Sequence, residues 1–192
     1  MQTMFTIVAL GNPGEEYANT RHNAGRIALL KALPLLHLAI NERAALSGGP
    51  VAEGVVAEQR VRVFFPPTYM NESGAALSRL QPLCEPARTV IVYDDVDIPL
   101  GELKISFDRG HGGHNGVMSV IQHLGSREFH RVRVGIAPRN WWGKTVRPTG
   151  EKLPAYVLGV LSKRERDSVE KTAASIAAAI EDTIKKCSGS SR

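Results

Sequence analysis

The sequence predicts a single three-layer α/β domain in which helices cover both faces of a mixed, mostly parallel sheet. Apolar runs and helical patterns alternate along 192 residues, a length that suits one domain. Two β-rich runs are separated by only Glu58, Gln59 and Arg60, which indicates an antiparallel hairpin in that sheet. We expect the domain to span residues 1–187 and a frayed polar tail to follow at 188–192.

The strands are predicted from short apolar runs that end at turn-forming residues. They cover residues 5–10, 55–57, 61–65, 89–93, 103–107 and 132–136. Pro66 and Pro67 must end the third strand, because proline has no N–H to donate to a sheet ladder. Asp94 and Asp95 are expected to end the fourth.

The helices are predicted from apolar residues spaced three and four apart. The first follows His22, with Asn23 as a possible cap, the second covers about 71–83, and the third follows residues 114–116. The last begins at a capping box of Ser162 and Glu165 and continues past residue 180 as one helix. Residues 138–154, which include Trp141, Trp142 and three prolines, predict an irregular excursion.

The composition is that of a soluble globular protein, with 43% hydrophobic and 22% charged residues. No leader and no run of about 20 apolar residues is found, so we expect a cytoplasmic protein without membrane contact. Cys84 and Cys187 lack metal-type spacing and are expected to be free thiols. The net charge of +5 is compatible with a polyanionic partner but does not require one.

Polar residues follow four of the predicted strands. They are Asn12 with His22, then residues 68–71, then Asp94 with Asp97, and then residues 111–115. Ligands of open α/β sheets bind beyond the carboxyl ends of the strands. If the strands are aligned, these segments converge on one cleft rich in His, Asp and Asn.

Such a cleft contains the groups of a hydrolase that uses water directly. Histidine is the usual general base, and an aspartate on its far ring nitrogen fixes the tautomer and stabilises the imidazolium. Asparagine amides can donate to a carbonyl oxygen that becomes negative. Taken singly, each asparagine could be a turn or cap residue, each aspartate a turn former and His22 a surface residue. Only the co-location of these residues after four strands favours a catalytic cleft.

Two other motifs are rejected. Residues 11–14 follow a strand but lack the full G-x-G-x-x-G pattern of a dinucleotide loop, and Pro13 removes a phosphate-binding amide. His111 and His114 are spaced like metal ligands, but glycines surround them and no third ligand is evident. We therefore predict neither a metal site nor a dinucleotide-binding loop here.

Four segments of the chain resemble the signature segments of bacterial peptidyl-tRNA hydrolase. They are GNPGEEYANTRHNAG at 11–25, PPTYMNESG at 66–74, YDDVDIPLG at 93–101 and GHGGHNG at 110–116. The likeness continues at 129–136 and 156–165 and keeps the same order. It implies a monomeric cytoplasmic esterase of translation that hydrolyses the bond between peptide and tRNA, releasing reusable tRNA, without a cofactor.

The resemblance also implies roles for individual residues. His22 would be the base that activates water and Asp94 its orienting partner, while Asn12 and Asn71 would hold the substrate carbonyl and the 3′-terminal region. The remaining substrate contacts would come from Tyr17, Met70 and Asn115. Lys104 and Arg133 would contact the tRNA backbone, and Arg109 is a candidate to replace a phosphate contact that this chain has lost. The contact would be lost because Ser106 stands where the family often has a second basic residue. Val117-Met118 also replace a lysine that is common in the family.

Two rival functions remain open at this point. One is a noncatalytic RNA-binding protein on the same fold, against which the retained His, Asp and Asn set argues. The other is a general small-ester or peptide hydrolase, against which Lys104 and Arg133 argue weakly. No G-x-S-x-G nucleophile motif is present, so we expect no covalent acyl-enzyme.

Overall fold

A computed structural model describes residues 4–46, 49–78, 80 and 84–189. Seven strands form one sheet. They are β1 (Phe5–Ala9), β2 (Ile40–Leu46), β3 (Gly49–Val56), β4 (Gln59–Phe64), β5 (Thr89–Pro99), β6 (Leu103–Phe107) and β7 (His130–Ala137). The α-helices are α1 (Ala24–Ala32), α2 (Ser73–Leu77), α3 (Asn115–Leu124), α4 (Lys152–Val157), α5 (Lys163–Glu170) and α6 (Ala173–Gly189).

The sheet is mixed, as predicted, and its strand order is β2-β3-β4-β1-β5-β7-β6. The four central strands, β4, β1, β5 and β7, run parallel to one another. The hairpin of β3 and β4 and the outer strands β2 and β6 add antiparallel pairs. The carboxyl ends of the four central strands therefore meet at one edge of the sheet.

Helices cover both faces of the sheet, because alternate residues of each central strand point to opposite sides. In β1, Phe5 and Ile7 pack in one core with α1, α5 and α6, whereas Val8 packs in the other with α2 and α3. These two cores confirm the predicted three-layer arrangement. No helix in the described ranges is long and apolar enough to cross a membrane.

Several predicted boundaries are wrong. The β5 strand continues past Asp94 to Pro99, because β7 goes on pairing with its backbone beyond the aspartates. Helix α2 ends at Leu77, after only five residues, and residues 79 and 81–83 of its predicted span lie outside the described part. Strand β2 was not predicted, and β3 begins at Gly49 instead of residue 55.

The carboxyl-terminal helix is divided in two. The capping box of Ser162 and Glu165 is present, and each partner bonds the other's backbone. Lys171 and Thr172 form a turn between α5 and α6, which the continuous apolar spacing concealed. Helix α6 includes residues 188 and 189 of the expected frayed tail, and residues 190–192 lie outside the described part. The domain bounds stay a prediction.

Candidate active site

A cavity of about 440 Å³ opens at the carboxyl edge of the central strands. Its walls include the segments after β1 and β4, the end of β5 and the loop before α3. All the predicted catalytic and substrate-binding residues line it, and so do Arg109 and Arg133. Lys104 is exposed on β6 and is not among the lining residues. The predicted convergence of four polar segments is therefore found.

The fourth segment reaches this cavity by a different route from the one predicted. Strand β6 is antiparallel to β7, with Phe107 opposite His130, so β6 ends at the far edge of the sheet. Residues 108–114 return the chain to the carboxyl edge, where α3 begins at Asn115. The guanidinium of Arg131 on β7 donates to the backbone carbonyl of Arg109 and holds this returning segment. The convergence is right, but for this segment the reason was wrong.

His22 and Asp94 are in direct contact. His22 Nδ1 lies 2.9 Å from Oδ1 and 3.0 Å from Oδ2 of Asp94. The Asp94 side chain is only 2% exposed, and that of His22 is 13% exposed. Since a buried carboxylate needs hydrogen-bond donors, Nδ1 carries the proton, and the Nε2 lone pair of neutral His22 is free to accept one.

The contact depends on a close approach between α1 and β5. Gly25, in the first turn of α1, lies against the β5 backbone, where a Cβ atom would be 2.7 Å from Cα and 2.8 Å from N of Tyr93. Only glycine allows this approach without a shift. His22 is in the 3-10 turn just before the helix and is thereby brought beside Asp94, the residue after Tyr93.

A second histidine, which the sequence placed in a converging segment but gave no role, also binds Asp94. His114 Nε2 lies 3.0 Å from Asp94 Oδ1, and the Nδ1 atom of His114 accepts from the backbone N–H of Val117 at the start of α3. Because Nδ1 is an acceptor, the proton of neutral His114 is on Nε2 and points to the carboxylate. Asp94 thus accepts one N–H hydrogen bond from each histidine.

The charges of this group shift the pKa values of its members. Burial by itself lowers the pKa of His22, but the charge of Asp94 and its hydrogen bond outweigh burial and raise that pKa above 6.5. Burial raises the pKa of Asp94, but the two histidines outweigh it and hold that pKa well below its ordinary value. Asp94 therefore stays a carboxylate wherever the protein is folded near neutral pH.

Asn12 is fixed by a second asparagine from the start of α1. Asn23 Oδ1 accepts from the Asn12 backbone N–H at 2.7 Å, and Asn23 Nδ2 donates to the Asn12 carbonyl at 2.9 Å. Asn23 was expected to cap α1 but makes no side-chain cap bond, since its amide is used here. The Asn12 side-chain oxygen accepts from the Met70 N–H at 2.8 Å. The Nδ2 hydrogens of Asn12 therefore remain available to donate to a ligand.

The remaining walls combine exposed amides with aromatic and apolar side chains. Asn71 is exposed in the 3-10 turn before α2 and Asn115 at the start of α3, whereas Met70 lines the cavity but is largely buried. Tyr17 meets Tyr69 edge to face, with ring centroids 6.1 Å apart. Tyr69 was not singled out from the sequence, because an exposed tyrosine in a loop carries no spacing signal.

The predicted basic residues differ in how accessible they are. The Arg133 side chain is only 8% exposed and is paired with Asp95, with 2.8 Å between Nε and Oδ2. Arg109 is exposed in the cavity wall, whereas Lys104 is exposed beside Arg133 in the β6–β7 register. Arg133 is therefore the least accessible of the three to a phosphate. The sequence also missed Arg147 and Leu153, wall residues from the excursion.

The histidine pair and Asp94 also form a group of potential metal ligands. In the part of the chain that is described, these are the three side chains that offer ligand atoms within 4.8 Å of one another. The facing histidine nitrogens are 2.9 and 3.0 Å from Asp94 Oδ1, so hydrogen bonds account for both contacts. The absence of a metal requirement stays a prediction.

Comparison with known proteins adds a family and a fold. The sequence profile described as peptidyl-tRNA hydrolase matches residues 6–191. A peptidyl-tRNA hydrolase of Bacillus subtilis (strain 168) is 35% identical over 189 residues, which cover 97% of this chain and 92% of the relative. That of Leifsonia xyli subsp. xyli is 39% identical over 186 residues, covering 94% and 91%. The crystal structure of an Acinetobacter baumannii peptidyl-tRNA hydrolase is similar with a TM-score of 0.77 and 28% identity, covering 97% of this chain and 93% of that chain.

The hydrogen bonds to Asp94 predict opposite tautomers for the two histidines. At a pH above the pKa of His22, its ring should carry the proton on Nδ1 and that of His114 on Nε2. Nitrogen NMR shifts of the imidazole rings distinguish the two forms, and exposed His37 provides an internal reference. An Nε2–H tautomer for His22 would contradict the geometry described above.

Proposed function

We propose that this chain, which belongs to the peptidyl-tRNA hydrolase family, hydrolyses the ester bond between peptide and tRNA with His22 as the base that activates water. The observation that carries the mechanism is the His22–Asp94 pair, which leaves Nε2 of a poised imidazole free in a cavity walled by amides. A noncatalytic RNA-binding role is not supported, since the family members compared are hydrolases.

The reaction follows from the free Nε2 atom. A water molecule donates its proton to His22 Nε2 as its oxygen attacks the ester carbonyl carbon, and the carbonyl oxygen becomes negative. The tetrahedral intermediate then expels the ribose oxygen, which takes the proton from the imidazolium. The products are a peptide with a free carboxyl group and a tRNA with a free terminal hydroxyl. The Asp94 carboxylate stabilises the imidazolium that exists between the two transfers.

The amides have separate places in this scheme. Asn71 is the candidate donor to the developing oxyanion, and one such donor contributes about 10²–10³-fold to turnover in a protease. Asn12, whose oxygen is engaged by Met70, presents its Nδ2 hydrogens to a substrate carbonyl. Asn115 positions the water or the peptide backbone, and Tyr17 and Met70 line the place of the terminal nucleotide.

The tRNA body would be held outside the cavity by phosphate contacts. Lys104 and Arg109 are exposed and can reach an anion. Arg109 would compensate for the basic residue missing at Ser106. Arg133 would contribute less than Lys104 and Arg109, because its guanidinium is buried and paired with Asp95. Since one chain supplies every wall described, we propose that the working form is a monomer, acting in the cytoplasm where its substrate arises.

Replacement of the base tests the mechanism. His22→Ala should lower kcat for peptidyl-tRNA by at least about 10²-fold, because general-base assistance is lost, and should change the Kd for deacylated tRNA by less than about two-fold. His37→Asn is the matched control, since it alters an exposed histidine in a left-handed conformation that asparagine tolerates. Near-normal turnover by His22→Ala would remove His22 from the role.

Loss of wild-type activity in a metal chelator would contradict the metal-free mechanism.

Salt dependence tests the phosphate contacts. The affinity for deacylated tRNA should fall linearly on a log–log plot as salt rises, because phosphate contacts release counterions. Lys104→Ala and Arg109→Ala should each reduce the magnitude of the slope by about 1. Lys185→Ala serves as a control, since this lysine is exposed on α6, and should leave the slope unchanged. Equal slopes in all four proteins would exclude Lys104 and Arg109 from phosphate contact.

A further inference from the structure

The excursion between β7 and α4 presents two adjacent tryptophans to solvent. Trp141 is 93% exposed and Trp142 is 85% exposed, and these are the two tryptophans of the chain. Tryptophan has a large apolar surface that folded proteins normally bury at least in part. Neither the sheet nor the cores described above use these rings, so their exposure requires another explanation.

The turn that carries the tryptophans is braced by hydrogen bonds. Arg139 and Thr145 form an antiparallel bridge, and the Asn140 N–H donates to the Lys144 carbonyl at 2.9 Å. Across the turn, Asn140 Oδ1 accepts from the backbone N–H groups of Trp142 and Lys144, at 3.0 and 2.9 Å. The two rings are therefore held on a defined tip, which we call the tryptophan hairpin (residues 139–145).

The tryptophan hairpin is tied to the rim of the active-site cavity. Arg139 pairs with Glu102, and Arg147 lies 3.1 Å from Asp97. Both Arg147 and Asp97 line the cavity. Trp142 is five residues before Arg147, so the chain allows a separation of at most about 18 Å between them. A ligand that extends out of the cavity on this side can reach the tip.

The charge around the tip favours an anionic ligand. Residues 138–152 contain four basic residues and one acidic residue, Glu151. Arg139 and Arg147 are already paired with Glu102 and Asp97, so the positive charge available to a ligand comes from Lys144 and Lys152. Lys144 is exposed at the base of the turn, and the structure shows no ion pair for it among the described residues. Flat aromatic rings beside positive charges are the combination that binds single-stranded nucleic acid, since every base has a π-face to stack.

We propose that Trp141 and Trp142 stack on unpaired nucleobases of the RNA immediately next to the terminal nucleotide whose ester is cleaved. This inference rests on the proposed function, which places the terminal nucleotide in the cavity. It adds a specificity element that the catalytic group lacks: the hairpin recognises an unpaired RNA end instead of the ester alone. A peptide occupant would offer no constant negative charge to match the basic residues.

Three double variants separate stacking from other effects. Trp141→Ala with Trp142→Ala should raise KM for peptidyl-tRNA by about 10-fold or more and leave kcat within about two-fold, because a stacking contact made equally in ground and transition states is lost. The double Phe variant, which keeps flat rings, should retain most of the wild-type KM. The double Leu variant keeps apolar area without a stacking face and should behave like the Ala variant. Both side chains are highly exposed, so these variants should fold as the wild type does, and equal Tm values check this.

Intrinsic fluorescence gives a readout independent of activity. The two tryptophans are the only ones in the chain, so their emission reports on the hairpin alone. Deacylated tRNA should quench the emission, and tRNA trimmed of its unpaired 3′ nucleotides should quench it much less. Equal quenching by both RNAs, or none by either, would overturn the inference. A blue shift with anionic phospholipid vesicles but no response to tRNA would instead assign the tip to a membrane surface and would equally overturn it.

The two proposals fail in different ways. If wild-type protein does not hydrolyse peptidyl-tRNA at all, the proposed function fails. If it does, and the double Ala variant has an unchanged KM, only the inference about the hairpin fails. A minimal substrate, an N-acylated aminoacyl ester of adenosine, completes the design. It should be cleaved equally by the wild type and the double Ala variant, because it lacks the neighbouring nucleotides.

Discussion

The site is organised around one buried carboxylate that accepts hydrogen bonds from two histidines. A carboxylate as enclosed as that of Asp94 is costly unless donors surround it, and His22 and His114 supply them from elements far apart in the sequence. The 3-10 turn before α1, the middle of β5 and the cap of α3 therefore meet at a single point. His114 contributes twice, since its other nitrogen caps α3. Loss of the carboxylate would leave both rings without their shared acceptor and His22 without the contact that sets its tautomer.

Backbone interactions then set the distance between this group and the amides around it. Gly25 lets α1 approach β5 closely enough for His22 to touch Asp94. Asn23, two residues earlier, uses its whole amide to fix the backbone of Asn12. Asn12 in turn binds the N–H of Met70, just before Asn71. A short stretch at the start of one helix thus positions both His22 and, through Asn12, the segment that carries Asn71.

The sequence predicted the central strands and the meeting of the polar segments, because apolar runs that end in polar loops are a local signal. It could not predict strand direction, so the route of residues 108–114 was missed although their destination was right. His114 was set aside as a poor metal ligand, since its partner Asp94 is 20 residues away and only the fold joins them. The turn at Lys171 and Thr172 was concealed by apolar spacing that continues through it. Tertiary contacts decided each of these points.

The most direct test of the account is the pH dependence of kcat/KM in the wild type and in Asp94→Asn. His22 must be neutral to take a proton, and Asp94 raises its pKa above 6.5, so wild-type kcat/KM should fall as the pH drops through a value above 6.5. Without the carboxylate, burial alone remains and lowers the pKa, so the acid limb of the variant should move below 6.5. An acid limb at the same pH in both proteins would contradict the claim that Asp94 poises His22 as the base.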